Sequence, residues 1–315
     1  MPTSAATPMH NEPNTLANFC VRQSGAALGA QVLGVDLAQP IPADVADAML
    51  EAWHQHLVLL FRDQTMNPQQ HLAAANVFGK PQVGANRAYY ANVGKANPYE
   101  APGFPEITLM SNLGPDGEPV QSNQGLGSEE VVWHSDNSYI EQPPAGSTLF
   151  ALEIPDDDSG KTSFSNQYMA LADLPAELRV AIAGRCSKQD ATRNSAGVLR
   201  PGVQMPTTPA EVPGPLHPLV RIHPGTGRAA LYLGRRRAYP SQYIEGYADA
   251  ESEALLDKLW AHATQPRYTW THNWRVGDLL IWDNRASMHY RELVNNTQAR
   301  VLWRSQFQGE TVTPA

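Results

Sequence analysis

Residues 131–136, Val-Val-Trp-His-Ser-Asp, place an imidazole and a carboxylate two positions apart at the end of an apolar run. On a strand, residues i and i+2 project from one face, so His134 and Asp136 can reach the same cation. Two ligands do not hold a catalytic metal. His289 offers a third: it follows an apolar run and the turn-like Asp283-Asn284-Arg285, where the chain re-enters the core. Two imidazoles and a carboxylate, with positions left open, form the donor set of non-haem Fe(II) oxygenases. The same set suits catalytic zinc, which leaves a zinc-dependent hydrolase as an alternative, although the helical His-Glu-x-x-His motif is absent. A non-enzymatic jelly-roll binding protein with a structural triad is the third reading. No Gly-x-Ser-x-Gly elbow occurs, which sets a serine hydrolase aside.

Arg300 and Arg304 stand four positions apart in "ARVLWRSQ" and so share one strand face. A guanidinium turned into a core must be paired, because a lone buried charge costs several kcal/mol. A ligand carboxylate held bidentately is a natural partner, an internal Asp or Glu the ordinary one. His54 and His56 end one helical pattern and His71 begins another; these read as ordinary helix residues.

The elements that must carry these groups are short and mostly strand-like. Strands are expected over 30–37, 57–61, 106–112, 147–154 and 161–165, in a hairpin over 218–234 turning at Pro224-Gly225-Thr226-Gly227, and over 267–274, 277–283 and 299–309. Helices are expected over 42–56, 67–79 and 249–264. Many short strands with few helices predict a mainly β fold, a sandwich or jelly roll with helices packed outside. Residues 1–15 read as a disordered tail and 16–315 as a single domain, with 200–215 a long Pro-rich loop inside it.

Composition narrows the partners. The 315 residues are 42% hydrophobic and 17% charged, and carry a net charge of −8. The balance argues against nucleic acid or an anionic membrane as partner. No apolar run approaches the roughly 18 residues of a membrane span, no secretory signal opens the chain, and Cys20 and Cys186 suggest neither a disulfide framework nor a metal site. The expectation is a cytoplasmic enzyme.

Three ordered blocks, "WHSDNSYIEQPPAGSTLFALEIPDDDSGKTSF", "HPLVRIHPGTGRAALYL" and "WRVGDLLIWDNRASMHYRE…ARVLWRSQF", resemble the taurine dioxygenase and phenoxyacetate-herbicide dioxygenase (TauD/TfdA) family. The resemblance runs from about residue 18 to 309. It implies a double-stranded β-helix, the cupin-like jelly roll, and dependence on Fe(II), 2-oxoglutarate and O2. By the same resemblance, His134, Asp136 and His289 match the iron ligands. Thr162 and Arg300 match the groups that bind the co-substrate carboxylates, and Arg304 matches an arginine that contacts a substrate sulfonate. The implied reaction hydroxylates a small anionic substrate and releases succinate and CO2; Asp136 favours hydroxylation over halogenation, which uses a site lacking that carboxylate. A homo-oligomer, dimer or tetramer, is also implied.

Departures from the taurine pattern bear on the substrate. Glu130 stands where an asparagine is expected, and Gly84 where a histidine is. Arg237 stands where an aromatic residue enters the substrate pocket and is expected, with Arg304, to hold an anion. Arg235 and Arg236 read as a solvated basic loop. Arg87 and Tyr89, with Tyr90, are further expected pocket residues. The substrate is thus expected to be a carboxylate, sulfonate or aryloxy acid other than taurine.

Overall fold

A computed structural model describes residues 14–92, 94–97, 99–121, 127–194 and 197–315, without the side chains of Asn86 and Tyr89. Two sheets face each other. In the larger, the strand order is Cys20–Gln23, Ala30–Leu33, Val58–Phe61, Leu279–Asp283, Gly146–Glu153, Val301–Phe307, Phe104–Ser111 and Glu100–Ala101, with Pro81–Gln82 also pairing on Val301–Phe307. The smaller sheet runs Thr269–His272, Thr162–Asn166, Ser287–Arg291, Val131–His134. Sequence neighbours fall in different sheets: Leu279–Asp283 is in the larger and Ser287–Arg291 in the smaller. This alternation makes the sandwich a jelly roll, as expected.

The reason for this order is visible in single strands. Val58-Leu59-Leu60-Phe61 and Leu279-Leu280-Ile281-Trp282 are buried throughout and paired antiparallel. Leu59, Phe61, Leu279 and Ile281 pack outward against Met49, Trp53, Ala75 and Phe78 of helices Ala43–His56 and Pro68–Phe78. Their alternate neighbours Val58, Leu60, Leu280 and Trp282 pack inward with Leu149, Phe164 and Leu302. A strand buried on both faces must be apolar at every position, which explains why the period of two is invisible there. Helix Asp249–Ala263 covers the smaller sheet through Leu255, Leu256, Leu259 and Trp260, which pack with Met288.

The expected helices lie within one residue of their observed bounds. The second starts at a capping box: the Asn67 side chain accepts from the Gln70 amide while the Gln70 side chain accepts from that of Asn67. The strand expected over 30–37 stops at Leu33 because Gly34 has φ +76 and a Cβ there would lie 1.7 Å from the Asn18 carbonyl oxygen. Helices Asn86–Ala91, Gln167–Ala172 and Ala176–Ile182 were not anticipated; at six or seven residues they are too short to show a periodic pattern. The expected tail lies outside the described residues as far as 13. Its next residue, Asn14, is buried; its side chain accepts from the Asp36 amide at 2.9 Å and donates to the Asp36 carbonyl at 2.9 Å. Ordered structure therefore reaches back past the boundary set at 16.

Candidate active site

His134 ends strand Val131–His134 and is the direct antiparallel partner of His289 in Ser287–Arg291. Facing positions of an antiparallel pair bring their side chains together, and the two rings lie 4.1 Å apart centre to centre. Asp136 is not on the strand, contrary to expectation. The strand ends at His134 and Asp136 opens a turn in which Asn137 has φ 47. The carboxylate is aimed instead by its backbone: the Asn284 side-chain oxygen accepts from the Asp136 amide at 2.7 Å, and its nitrogen donates to the Asp136 carbonyl at 3.0 Å. The outcome matches the i, i+2 expectation by a different route.

Oδ1 of Asp136 lies 3.6 Å from Nε2 of His134 and 3.7 Å from Nε2 of His289. Bonds of about 2.1 Å to a shared cation would set these separations near 3.0–3.4 Å, a contraction of a few tenths of an ångström. Nδ1 of His134 donates to the Val132 carbonyl at 2.8 Å, which leaves the Nε2 lone pair facing the carboxylate. Ser147 donates to the other oxygen, Oδ2, at 2.8 Å. Burial, then the Arg235 charge, push the His134 pKa down to about 4, and burial with His134 holds His289 well below its ordinary value. Burial opposes ionisation of Asp136, but Arg304 and the imidazoles outweigh it and hold that carboxyl well below the usual range. Neutral imidazoles beside an ionised carboxylate are what a divalent cation requires, so the donor set fits the metal.

A second trio shows what a failed site looks like. His54, His223 and Asp283 also bring ligand atoms together. Here the Gly225 and Thr226 amides donate to Nδ1 of His223, so Nε2 carries the proton and donates to Asp283 at 2.8 Å. Arg285 fills both oxygens of the same carboxylate at 2.9 and 2.8 Å. No lone pair of His223 is left for a metal. The trio anchors the turn that carries Asn284.

The first trio opens into a cleft lined on one side by Thr162, Arg291 and Arg300 and elsewhere by Arg304, Tyr139, Arg200, Arg235 and Arg237. Arg300 is 4% exposed, and its Nε and Nη2 find no hydrogen-bond partner. Burial and neighbouring Arg291 push its pKa well below the usual arginine value. Thr162 is buried beside it, its hydroxyl oxygen accepting from the Trp274 indole at 2.9 Å. Two guanidiniums and a hydroxyl at one end of a cleft make a seat for a carboxylate. Arg304 pairs at 2.6 Å with Oδ1 of Asp136, the carboxylate oxygen that faces the two imidazoles, while Oδ2 is held by Ser147.

Residues 21–306 match the model of the "Taurine catabolism dioxygenase TauD, TfdA family". The chain belongs to the TauD/TfdA family. It is 30% identical to the (S)-phenoxypropionate/alpha-ketoglutarate-dioxygenase of Sphingobium herbicidovorans, an alignment covering 93% of this chain and 96% of that one. Identity is 31% with the alpha-ketoglutarate-dependent 2,4-dichlorophenoxyacetate dioxygenase of Burkholderia sp. strain RASC, over 85% and 86%. The crystal structure of AAD-2 in complex with Mn(II) and N-oxalylglycine superposes with TM-score 0.75 at 27% identity, covering 94% of this chain and 99% of that chain. Like its TauD/TfdA relatives, this protein is a 2-oxoglutarate-dependent dioxygenase with a metal centre.

The remaining expected pocket residues divide. Arg237 lines the cleft, donating to the Asn194 carbonyl at 2.7 Å. Arg235 lines it too, contrary to the solvated reading: its backbone pairs with His134, so Arg235 and Arg237 turn inward while Arg236 points out to Glu253 and Asp257. That alternation was legible in the run of three arginines. Glu130 is exposed and accepts from the Tyr290 hydroxyl at 2.7 Å, in a shallow groove next door. Arg87 is exposed and lies 3.8 Å from Glu100, outside the cleft lining. The Tyr89 side chain lies outside the described residues, and Gly84 lines the cleft where a histidine would have stood. Sequence reasoning missed Arg291, Trp274, Arg200 and Tyr139. Arg291 was accessible, standing two residues after His289 on one strand face; Arg200 comes from the Pro-rich loop, where no periodicity predicts direction.

Proposed function

We propose that this enzyme uses Fe(II) at His134, Asp136 and His289 to couple oxidative decarboxylation of 2-oxoglutarate to hydroxylation of a small organic anion. 2-Oxoglutarate, O2 and R–H give succinate, CO2 and R–OH. The supporting observation is the juxtaposition of three convergent donors with a buried arginine lacking hydrogen-bond partners at two of its nitrogens, one group for the metal and one for the distal carboxylate of the co-substrate. Bound iron supplies chelation of the 2-oxo acid and activation of dioxygen. The chain supplies position. Thr162 accepts from Trp274 and so turns its own proton towards the carboxylate that Arg300 holds. Arg304 faces the substrate anion, and the buried strands around Trp282 and Leu149 exclude water from the reacting C–H. Relatives named for phenoxypropionate and 2,4-dichlorophenoxyacetate, both carboxylates, support an aryloxy acid or a similarly sized carboxylate or sulfonate.

The test is succinate release from iron-loaded enzyme with 2-oxoglutarate and a panel of aryloxy acids, carboxylates and sulfonates. Release should rise with one member of the panel, in step with hydroxylated product, and stop without oxygen. Turnover that persists without oxygen and 2-oxoglutarate would assign a zinc hydrolase instead. A His289→Ala variant that binds its ligand unchanged would assign a binding protein.

A further inference from the structure

The residue after the carboxylate ligand adopts a backbone conformation that side chains rarely take. Asn137 has φ 47, in the left-handed region, where asparagine is among the few tolerated residues. Its side chain is engaged at both ends. Oδ1 accepts from the Tyr139 hydroxyl at 3.1 Å, and Nδ2 donates to Oε1 of Gln306 at 2.9 Å. Gln306 stands two positions after Arg304 on strand Val301–Phe307, and both line the cleft. In the larger sheet Gln306 is the direct antiparallel partner of Ser147, so the two side chains meet, and Nε2 of Gln306 donates to the Ser147 hydroxyl at 3.4 Å. Ser147 in turn donates to Oδ2 of Asp136 at 2.8 Å. The hydrogen bonds therefore leave the chain at residue 137 and return to it at residue 136. Each donation runs the same way, from Tyr139 through Asn137, Gln306 and Ser147 to the carboxylate, the order in which successive bonds polarise and strengthen one another towards an anion. Gln306 and Ser147 are buried, so a broken link there leaves a polar group unmet.

We infer that Gln306, Asn137 and Ser147 are positioning residues of the metal site: their closed circuit fixes the rotation of the Asp136 carboxylate, holding Oδ2 so that Oδ1 is presented to Nε2 of His134 and His289. The inference rests on the reading of His134, Asp136 and His289 as metal ligands and deepens it. Asn284 holds the backbone of Asp136, whereas the circuit through Gln306 holds its carboxylate. Ser147 keeps its proton on Asp136 because its oxygen is already accepting from the Gln306 amide. The outer end of the circuit is Tyr139, whose ring lies 4.0 Å from the Arg200 guanidinium on the cleft wall.

The experiment titrates the full chain with Mn(II) alone and reads binding by electron paramagnetic resonance, without turnover. Gln306→Leu keeps the volume of the side chain and removes both amide functions. It should weaken Mn(II) binding about tenfold or more while leaving the circular dichroism spectrum intact. Ser147→Ala should weaken it comparably and change the spectrum of the bound ion in the same way. The double variant should lose no more than Ser147→Ala alone, because Gln306 acts on the carboxylate only through that hydroxyl. Asn137→Gly keeps the left-handed turn and deletes only the side chain, and it should weaken binding about threefold or more. Unchanged affinity in Gln306→Leu, additive losses in the double variant, or an Asn137→Gly protein that binds as the wild type does would each overturn the inference, the last by making Asn137 a turn residue alone. Wild-type protein that binds no Mn(II) would instead strike the metal reading on which the inference stands, so the two failures are separate.

Discussion

Asn284 does not reach the metal position, yet it grips Asp136 by both its amide and its carbonyl and donates to the Pro144 carbonyl at 2.9 Å. Removing it frees the turn that aims the carboxylate. Asn284→Ala should weaken Mn(II) binding by about 10–100-fold while leaving the circular dichroism spectrum intact; unchanged affinity would show that the turn holds without it. Arg300 makes the opposite split. Arg300→Gln should raise the apparent 2-oxoglutarate requirement by about 10–100-fold, the worth of a charged hydrogen bond, and change metal affinity little. Equal loss of both would make Arg300 structural. At this scale the convergence of His134, Asp136 and His289 was legible because their residue types are chemically narrow, although the strand spacing that suggested it stops at His134, and Asp136 is aimed by a turn. Asn284 stood in the block leading to His289 with nothing in its spacing to mark it, since its role depends on where a turn 148 positions away comes to rest.

Among the elements, the loop before strand Thr162–Asn166 is built to admit Arg300. Gly160 has φ +71, and a Cβ there would lie 2.8 Å from the Val294 side chain and 3.1 Å from Nε of Arg300. Gly160→Ala therefore meets two obstacles, a left-handed backbone and a displaced guanidinium. It should cost about 1–3 kcal/mol in denaturant unfolding and also raise the apparent 2-oxoglutarate KM; a loss of stability with KM unmoved would uncouple the loop from the co-substrate seat. The long strands and helices were readable from apolar runs, capping residues and turn glycines. Of the three consecutive arginines only Arg235 was misread, because a basic run usually means solvent, whereas here the bridge to His134 turns it into the cleft beside Arg237. Glu130 failed for the complementary reason: a position matched by family pattern says nothing about which side of an edge strand the chain leaves.

Across the whole molecule, burial of neutral histidine sets the acid limit. His71 is 0% exposed in the core between helix Pro68–Phe78 and the larger sheet, contacting Phe150 and Trp303, and burial pushes its pKa from 6.5 to about 4. Above pH 6.5 neither the folded nor the unfolded chain is protonated there, and this group leaves stability unchanged. Below 6.5 the unfolded chain takes up the proton first, so stability falls by up to about 3 kcal/mol by pH 4. In the wild type, unfolding free energy should decline through this window, and His71→Leu should remove about one proton's worth of the slope; an unchanged slope would exclude His71 as the cause. No helix among the described residues is long and apolar enough to cross a membrane. The two-sheet architecture was foreseen from strand count, but which strands share a sheet was not, because pairing over more than a hundred residues leaves no local trace.

The most direct measurement is the visible absorption that appears when ferrous iron and 2-oxoglutarate are added together to the protein without oxygen. The account predicts a chelate band in the wild type and its loss in His289→Ala, with the variant still folded. A wild-type protein that binds iron but forms no band, or a band undiminished in His289→Ala, would contradict the assignment of His134, Asp136 and His289 as the metal site.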